Sequence, residues 1–219
     1  MTRFEVIKTD IKDLAKENPD TVFIYDEGDN FIEYEEDGRV ARYEDMENIT
    51  ADWIKEHIVV ASSVKDLDID DIAGFIYEYI PKEMCQSLNH LVFIQDEEED
   101  FDEMIDKLES VTGYPLLECH DFPSEDQLGI LWSNDCTIIV HIGNIIKGVR
   151  DMIDNGDICE WEEESETDIG IKSTIAHEIR HLAQDDPFCE GCYTDPEEDA
   201  EQFARDVMDT YLGYGNKEK

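Results

Sequence analysis

The chain has 219 residues, of which 58 are acidic and 17 are basic, so its formal net charge is −41. Apolar residues make up 41% and aromatic residues 10%, which predicts a folded chain with a sizeable core and not a disordered one. The scarcity of basic residues disfavours direct binding to nucleic acid or to an anionic membrane. Three interpretations of the acidity remain: solubility, steering toward a basic partner, or adaptation to salt.

The sequence carries no sign of export or of membrane insertion. Its first residues lack the apolar segment of a signal peptide, and no stretch approaches the ~20 apolar residues of a membrane span. The six cysteines are mostly scattered, which is typical of a reducing compartment. We therefore expect a cytoplasmic protein.

Residues 1–96 are predicted to form a small α+β region. Its strands are expected at residues 21–25, 31–34 and 39–43, and its amphipathic helices at residues 46–58 and 69–80. Pro81 ends the second of these helices. No catalytic or binding motif occurs here, so the sequence assigns this region no function.

An acidic block at residues 96–100 marks the predicted boundary with a second domain at residues 97–219, and it also suits the first turn of a helix. The apolar spacing predicts that helix up to Gly113, then three strands, a further helix and an acidic loop. These strands are expected at residues 115–119, 128–132 and 136–142, the helix at 145–153, and the loop at 160–168 within a long connection, 143–170. An edge strand beside a cleft would pair with an extended peptide.

Residues 177–181 read His-Glu-x-x-His, a pattern with a chemical mechanism. Two histidines four residues apart lie on one face of a helix, where His177 and His181 can share one Zn²⁺. Glu178 can then act as the general base toward a water activated by the metal. Isoleucines at helical spacing give the same helix an apolar back. The alternative is a surface helix with incidental histidines.

A catalytic zinc takes three protein ligands and leaves one position open. A second helix is predicted to start with Asp195 as its N-cap and Pro196 at its first position, and Glu198 completes a capping box. This leaves Glu197 free, and we assign it as the third ligand. Glu201, one turn further on, is placed to accept the remaining N–H of a ligating histidine and fix its tautomer.

Peptide hydrolysis also needs a hydrogen-bond donor for the oxyanion. Several side chains can donate such a bond, and the sequence does not choose among them. The candidates are Tyr193 and His141, together with His120, Tyr211 and Tyr214.

The two predicted ligand helices are separated by a Cys-x-x-Cys pattern formed by Cys189 and Cys192. One such pair is half of a four-cysteine zinc site. It is therefore a turn with free thiols, a redox-sensitive disulfide, or a half-site that another chain completes. A reducing compartment favours the turn.

The pattern H-E-x-x-H at residues 177–181, followed by E-x-x-A-x-x-F-A at residues 197–204, resembles the paired motifs of the ImmA/IrrE-type metallopeptidases, a gluzincin-like branch. Glu201 stands where the family's second motif has Asn or Asp. The resemblance covers roughly residues 97–212 and implies zinc, a minimal zincin-like domain and cleavage of protein substrates, which in several members are DNA-binding repressors. The longer connection at 143–170 and the lack of an N-terminal helix-turn-helix depart from the family.

The expected fold is thus α+β: a zincin-like minimal domain after a small N-terminal region. The expected function is that of a zinc-dependent metallopeptidase, with Glu178 as catalytic residue and a protein substrate, for which a basic DNA-binding regulator is one candidate. The alternative is a non-enzymatic acidic protein, either a DNA mimic or a degenerate peptidase scaffold, that binds a basic partner. The sequence does not indicate the oligomeric state.

Overall fold

A computed structural model describes residues 22–25, 32–36, 39–43, 46–95, 127–132, 136–185 and 195–214. Within them the protein is α+β. The strands are β1 (Val22–Tyr25), β2 (Ile32–Glu36), β3 (Arg39–Tyr43), β4 (Ile58–Val60), β5 (His90–Ile94), β6 (Gly129–Trp132) and β7 (Thr137–His141). The helices are α1 (Ala51–Glu56), α2 (Ile69–Tyr79), α3 (Ile142–Asn155), α4 (Glu163–Asp185) and α5 (Pro196–Tyr211), with short 3₁₀ turns at Lys82–Met84 and Glu160–Glu162.

The first three strands form an antiparallel sheet in the order β1-β2-β3. Tyr34 of β2 stands opposite Phe23 on one side and Ala41 on the other. The three predicted N-terminal strands are therefore confirmed, with small differences at their ends.

A second, mixed sheet has the order β4-β5-β7-β6. β5 runs parallel to both β4 and β7, whereas β6 pairs antiparallel with β7 and is an edge strand among the described strands. Strands from both sides of the boundary predicted near residue 96 pair directly in this sheet. Residues 58–94 thus contribute to the same sheet as residues 129–141, which the predicted division did not anticipate.

Two element predictions are wrong. The helix expected at residues 46–58 is only the short α1, because the β-branched run from Ile58 to Val60 forms strand β4. The acidic loop expected at residues 160–168 is a 3₁₀ turn that leads into α4 at Glu163. Glutamates are good helix formers and are favourable in a first helical turn, so this segment extends the helix.

Most of the other predicted helices and strands are present. α2 ends just before Pro81 as expected, and α3 ends at Gly156, whose φ of 80° is the left-handed conformation of a helix C-cap. Strands β6 and β7 lie within their predicted ranges. The acidic block, the helix predicted up to Gly113 and the strand at residues 115–119 lie outside the described residues.

The core lies between one face of the mixed sheet and the helices. α4 contributes its predicted apolar face, and each of these side chains is at most 6% exposed. They are Ile171, Ile175, Ile179 and Leu182. They join Ile138 and Val140 of the central strand β7, so the helix that carries the histidine motif packs directly on the sheet.

Lys172 ties three helices together inside this core. Its side chain is 1% exposed, and its ammonium donates to Asp168 one turn earlier at 2.7 Å and lies 2.6 Å from Asp71 of α2. It also donates to the Tyr211 hydroxyl of α5 at 2.8 Å. Burial lowers the Lys172 pKa, but hydrogen bonds to Asp168, Asp71 and Tyr211 outweigh this, and the net pKa is raised. The residue is a buried cation.

In the part of the chain that the structure describes, none of the helices is both long and apolar enough to cross a bilayer.

Candidate metal centre

Three nitrogen and oxygen donors converge where α4 packs against α5. The Nε2 atoms of His177 and His181 lie 3.0 Å apart. Glu197 reaches them from the first turn of α5, with its two carboxylate oxygens 3.4 Å from His177 Nε2 and 3.3 Å from His181 Nε2. The three residues predicted as ligands are therefore brought together and could hold one metal ion.

The spacing of these donors fits a tetrahedral ion. Donor atoms bound at about 2 Å to a tetrahedral zinc lie roughly 3.3 Å from one another. The two Nε2 atoms are 3.0 Å apart, and each faces a different Glu197 oxygen at a similar distance, 3.4 Å from His177 to Oε2 and 3.3 Å from His181 to Oε1. Two imidazoles and one carboxylate are also the donor set of many catalytic zinc sites, which keep a fourth position open.

The start of α5 positions Glu197. Asp195 caps the helix, and its carboxylate accepts hydrogen bonds from the amides of Glu197 and Glu198 at 3.2 and 3.3 Å. Pro196 occupies the first helical position, as predicted. The Glu197 side chain is thereby held at the end of the helix that faces α4, although 72% of it is exposed.

Gln184 fixes the tautomer of His181. The Gln184 amide nitrogen donates to the Pro196 carbonyl at 2.9 Å and to Asp199 Oδ2 at 2.8 Å, and both of these groups are acceptors only. The Gln184 oxygen must therefore face His181 Nδ1, which lies 2.9 Å away and donates to it. In the neutral ring this leaves a lone pair on Nε2, the atom that faces His177 and Glu197.

Arg180 and Asp199 hold the two ligand helices together. The Arg180 guanidinium donates to Asp199 Oδ2 at 2.6 Å, and both side chains are largely sheltered. The hydrogen bond from Arg180 lowers the Asp199 pKa despite partial burial, and the bond from Gln184 acts in the same direction. Asp199 therefore stays ionised and anchors the amide that orients His181.

The environment of His177 favours the neutral form of its imidazole. Burial lowers its pKa, and the nearby His181 lowers it further, while Glu197 and Glu201 act in the opposite direction. Metal ligation requires the neutral imidazole, so a lowered pKa keeps the ligand available at neutral pH.

Glu178 lies next to the ligands but is buried, with 7% of the residue exposed. Burial raises the pKa of its carboxyl to about 8, and the neighbouring Glu197 carboxylate contributes to this. This value applies to the metal-free protein, because a divalent cation at the neighbouring ligands would lower it.

Gly129 of the edge strand lets the backbone approach Glu178. A Cβ atom at this position would lie 2.9 Å from both Glu178 Cγ and Glu178 Oε1, and 2.6 Å from Thr174 Cγ2. At such distances either the strand or the neighbouring side chains must move. Glycine therefore lets β6 lie directly against Thr174 and the carboxyl of Glu178.

A cleft of about 920 Å³ is lined by the three potential ligands together with Glu178 and Gly129. One wall is β6 with the two residues before it, and the other walls are α4 and α5. Glu201 and Arg205 line the α5 side, and the closest approach between their charged groups is 3.9 Å. Because His181 Nδ1 is held by Gln184, this ring's remaining N–H does not need the Glu201 acceptor that the sequence suggested.

The oxyanion candidates fall into two groups. His141 is buried as the N-cap of α3, where its Nδ1 accepts from the Asn144 amide, and it does not line the cleft. Tyr211 packs beside Lys172, and Tyr214 is 76% exposed, so neither lines the cleft. The other two candidates, His120 and Tyr193, lie outside the described part of the chain. The Cys-x-x-Cys pair, Cys189 and Cys192, also lies outside it.

Sequence reasoning missed Gln184, Arg180, Asp199 and Gly129. Gln184 follows His181 by three residues, a spacing at which helical side chains meet, and this is its one local signal. A glycine inside a predicted strand can mark a close backbone approach, which was a usable signal for Gly129. The Arg180–Asp199 pair joins two helices and has no local signature.

No protein-family model, curated protein or solved structure matches this chain.

Proposed function

We propose that the protein is a zinc-dependent peptidase that hydrolyses a peptide bond in a protein substrate in the cytoplasm. The observation that carries this proposal is the convergence of three potential ligand groups, His177 Nε2, His181 Nε2 and the Glu197 carboxylate, with closest separations of 3.0, 3.3 and 3.4 Å. Gln184 supports it, because it leaves the His181 Nε2 lone pair directed at the site. A zinc ion held by these three residues would act as a Lewis acid toward the scissile carbonyl and would lower the pKa of water toward ~7.

Glu178 is the proposed general base and acid. In the metal-free protein burial raises the pKa of its carboxyl. A divalent cation at the neighbouring ligands would lower this pKa and leave the carboxylate ionised, so that it could take a proton from water. The same carboxyl then returns the proton to the leaving amine. Contact with the β6 backbone at Gly129 keeps the carboxyl close to the strand along which a substrate would lie.

β6 is the proposed docking strand for the substrate backbone. Of the strands that the structure describes in the mixed sheet, it is an outer one, and it lines the cleft. An extended peptide can add to such an edge through main-chain hydrogen bonds, which do not depend on sequence. This arrangement, with the two paired motifs, supports a zincin-like domain similar to the ImmA/IrrE-type metallopeptidases, and the net charge favours a basic substrate.

The experiment combines metal analysis with a peptide-library digest read by mass spectrometry. The wild-type protein should hold about one zinc per chain and cleave library peptides. His177→Ala should lose the zinc, whereas Glu178→Gln should keep it and lose cleavage. Glu198→Gln is the matched control, because this exposed neighbour of Glu197 should change neither property.

Two results would contradict the proposal. Undiminished zinc content in His177→Ala would contradict the assigned metal site, and full cleavage activity in Glu178→Gln would contradict the assigned general base. A protein that binds basic partners, cleaves nothing and is indifferent to Glu178→Gln would instead fit the non-enzymatic alternative.

A further inference from the structure

A second groove, of about 650 Å³, lies away from the metal cleft. It is bounded by the start of α2 with the loop before it, by one side of α3, and by the first turns of α4 with the 3₁₀ turn Glu160–Glu162. We call it the α2–α4 groove. Nothing in the proposed peptidase mechanism uses it.

The floor of the α2–α4 groove is apolar. Ile72, Ile142 and Ile171 are buried there, at 2%, 5% and 6% exposure, and Leu67 and Ile146 lie beside them half-buried. Aliphatic surface of this kind accommodates the methylene stem of a long side chain.

The rim of the groove is acidic. Seven carboxylates line it: Asp66, Asp68, Asp71, Glu160, Glu163, Glu164 and Asp168. Three of them are already paired, because Asp71 and Asp168 contact Lys172, and Glu163 accepts from Arg150 at 2.9 Å.

The remaining rim charges are exposed and predominantly negative. Asp68 caps α2, and among the described residues no ion-pair partner lies against Asp66, Glu160 or Glu164. Lys65 is the one further base that lines the groove.

Trp161 stands at this rim between Glu160 and Glu164. It is 80% exposed, which makes it the most exposed large apolar side chain in the described part of the chain. Exposing so large an apolar surface is unfavourable for an isolated chain. An indole ring flanked by carboxylates offers a cation both a π face and hydrogen-bond acceptors.

We propose that the α2–α4 groove binds an arginine- or lysine-bearing segment of a partner protein. The cationic head contacts Trp161 and the free carboxylates, and the apolar stem or a neighbouring apolar residue lies on the isoleucine floor. Charge complementarity selects this occupant: nucleic acid would be repelled, and a second copy of the chain carries the same net charge of −41.

The groove and the metal cleft share helix α4. Thr167 lines the groove and His177 lines the cleft, and ten residues of helix between them correspond to about 15 Å. A basic partner held in the groove would therefore be close to the proposed catalytic site. The binding itself does not rest on the proposed function, since it requires neither zinc nor Glu178.

The test is calorimetric titration of the full chain with a short synthetic peptide in which arginines alternate with leucines. We expect binding that weakens as salt is added, with a change in tryptophan fluorescence. Two variants test the rim: Trp161→Ala, and a double variant that combines Glu160→Gln with Glu164→Gln. Each should weaken binding by about three- to tenfold. Both changes fall on exposed side chains.

Two controls separate a defined groove from general acidity. Asp209→Asn removes an exposed carboxylate on α5, outside the groove, and should leave the affinity unchanged. A peptide with glutamine in place of every arginine should bind much more weakly, because it loses the contacts with Trp161 and the free carboxylates and keeps only main-chain pairing of the kind proposed for β6. The proposal is overturned if Asp209→Asn weakens binding as much as the groove variants do, if the groove variants bind normally, or if the glutamine peptide binds equally well. None of these readouts involves proteolysis, so a failure here is distinct from a failure of the peptidase assignment.

Discussion

Gly129 and Glu178 are in contact where strand β6 meets helix α4, and a substitution at Gly129 should measurably change stability. Gly129→Ala should force the strand or the side chains of Thr174 and Glu178 to move, because the added Cβ would lie 2.6 Å from Thr174 Cγ2 and 2.9 Å from Glu178 Oε1. We expect a loss of about 1–3 kcal/mol in the free energy of unfolding. Peptide cleavage should fall as well, with zinc content unchanged, since Gly129 contacts the base and not the ligands.

Gly148→Ala is the matched comparison. Gly148 lies inside α3, and a Cβ there would meet nothing within 4 Å. The same change should therefore raise stability by up to about 1 kcal/mol through helix propensity. Urea unfolding of both variants checks this pair, and equal effects of the two changes would contradict the proposed contact.

Glu178 also gives the metal-free protein a pH dependence. Its carboxyl has a pKa of about 8 in the folded state against an ordinary value of 4.5. Between these values the folded state holds more protons than the unfolded state, so stability falls as pH rises through this window. The slope contributed by one such group is at most about 1.4 kcal/mol per pH unit.

Glu178→Gln cannot ionise and should lose this slope, so above pH 8 the variant should be the more stable protein. Urea unfolding in the presence of a chelator, at several pH values, checks the difference between the two proteins. The lowered His177 pKa acts in the opposite direction, but it is common to both proteins and largely cancels. Parallel pH profiles would show that Glu178 does not carry the shift.

At the scale of helices and strands, Lys172 joins α2, α4 and α5. Lys172→Met keeps an apolar stem of similar length but removes the cation that Asp71, Asp168 and Tyr211 share. The two carboxylates are half-exposed and can regain water, so we expect a moderate loss of about 1–3 kcal/mol in unfolding free energy.

Lys55→Met is the matched control for this change. Lys55 of α1 forms an ion pair with Asp70 of α2, and both side chains are well exposed. Its loss should have a much smaller effect, because exposed ion pairs contribute little. Thermal unfolding of the two variants checks the order, and a larger effect at Lys55 would contradict the role given to Lys172.

Local patterns predicted most of the elements and the ligand set. Helical spacing paired His177 with His181, and the cap at Asp195 left Glu197 available, as the donor geometry supports. The predictions that failed, or that could not be made, depend on packing between elements that are distant in sequence. The run of acids before residue 169 has the same composition in a loop as in the first turns of a helix, and only packing on the core decides between them. Gln184 acts through acceptors on another helix, which no spacing reveals.

At the scale of the whole molecule, the net charge of −41 should make stability depend on salt. Carboxylates far outnumber bases, so compaction brings like charges together, and screening relieves their repulsion. The unfolding free energy of the metal-free protein should therefore rise as sodium chloride increases over the range in which screening dominates. Chemical unfolding by urea, which adds no ions, measures it. An unfolding free energy that stays constant or falls as salt is added would mean that local ion pairs offset the repulsion among the excess carboxylates.

The register of the mixed sheet has a consequence for the order of folding. Leu91 pairs with Ile138, so β5 and β7 meet only after a long segment of chain has been brought round. α4 and α5 are near neighbours in sequence and form the most extensive helix–helix contact in the described fold. Local contacts form quickly, whereas distant parallel strands pair slowly because loop closure costs entropy. The two halves of the proposed metal site can thus meet before the sheet that supports them is complete, and metal captured at that stage would commit the chain to its native topology.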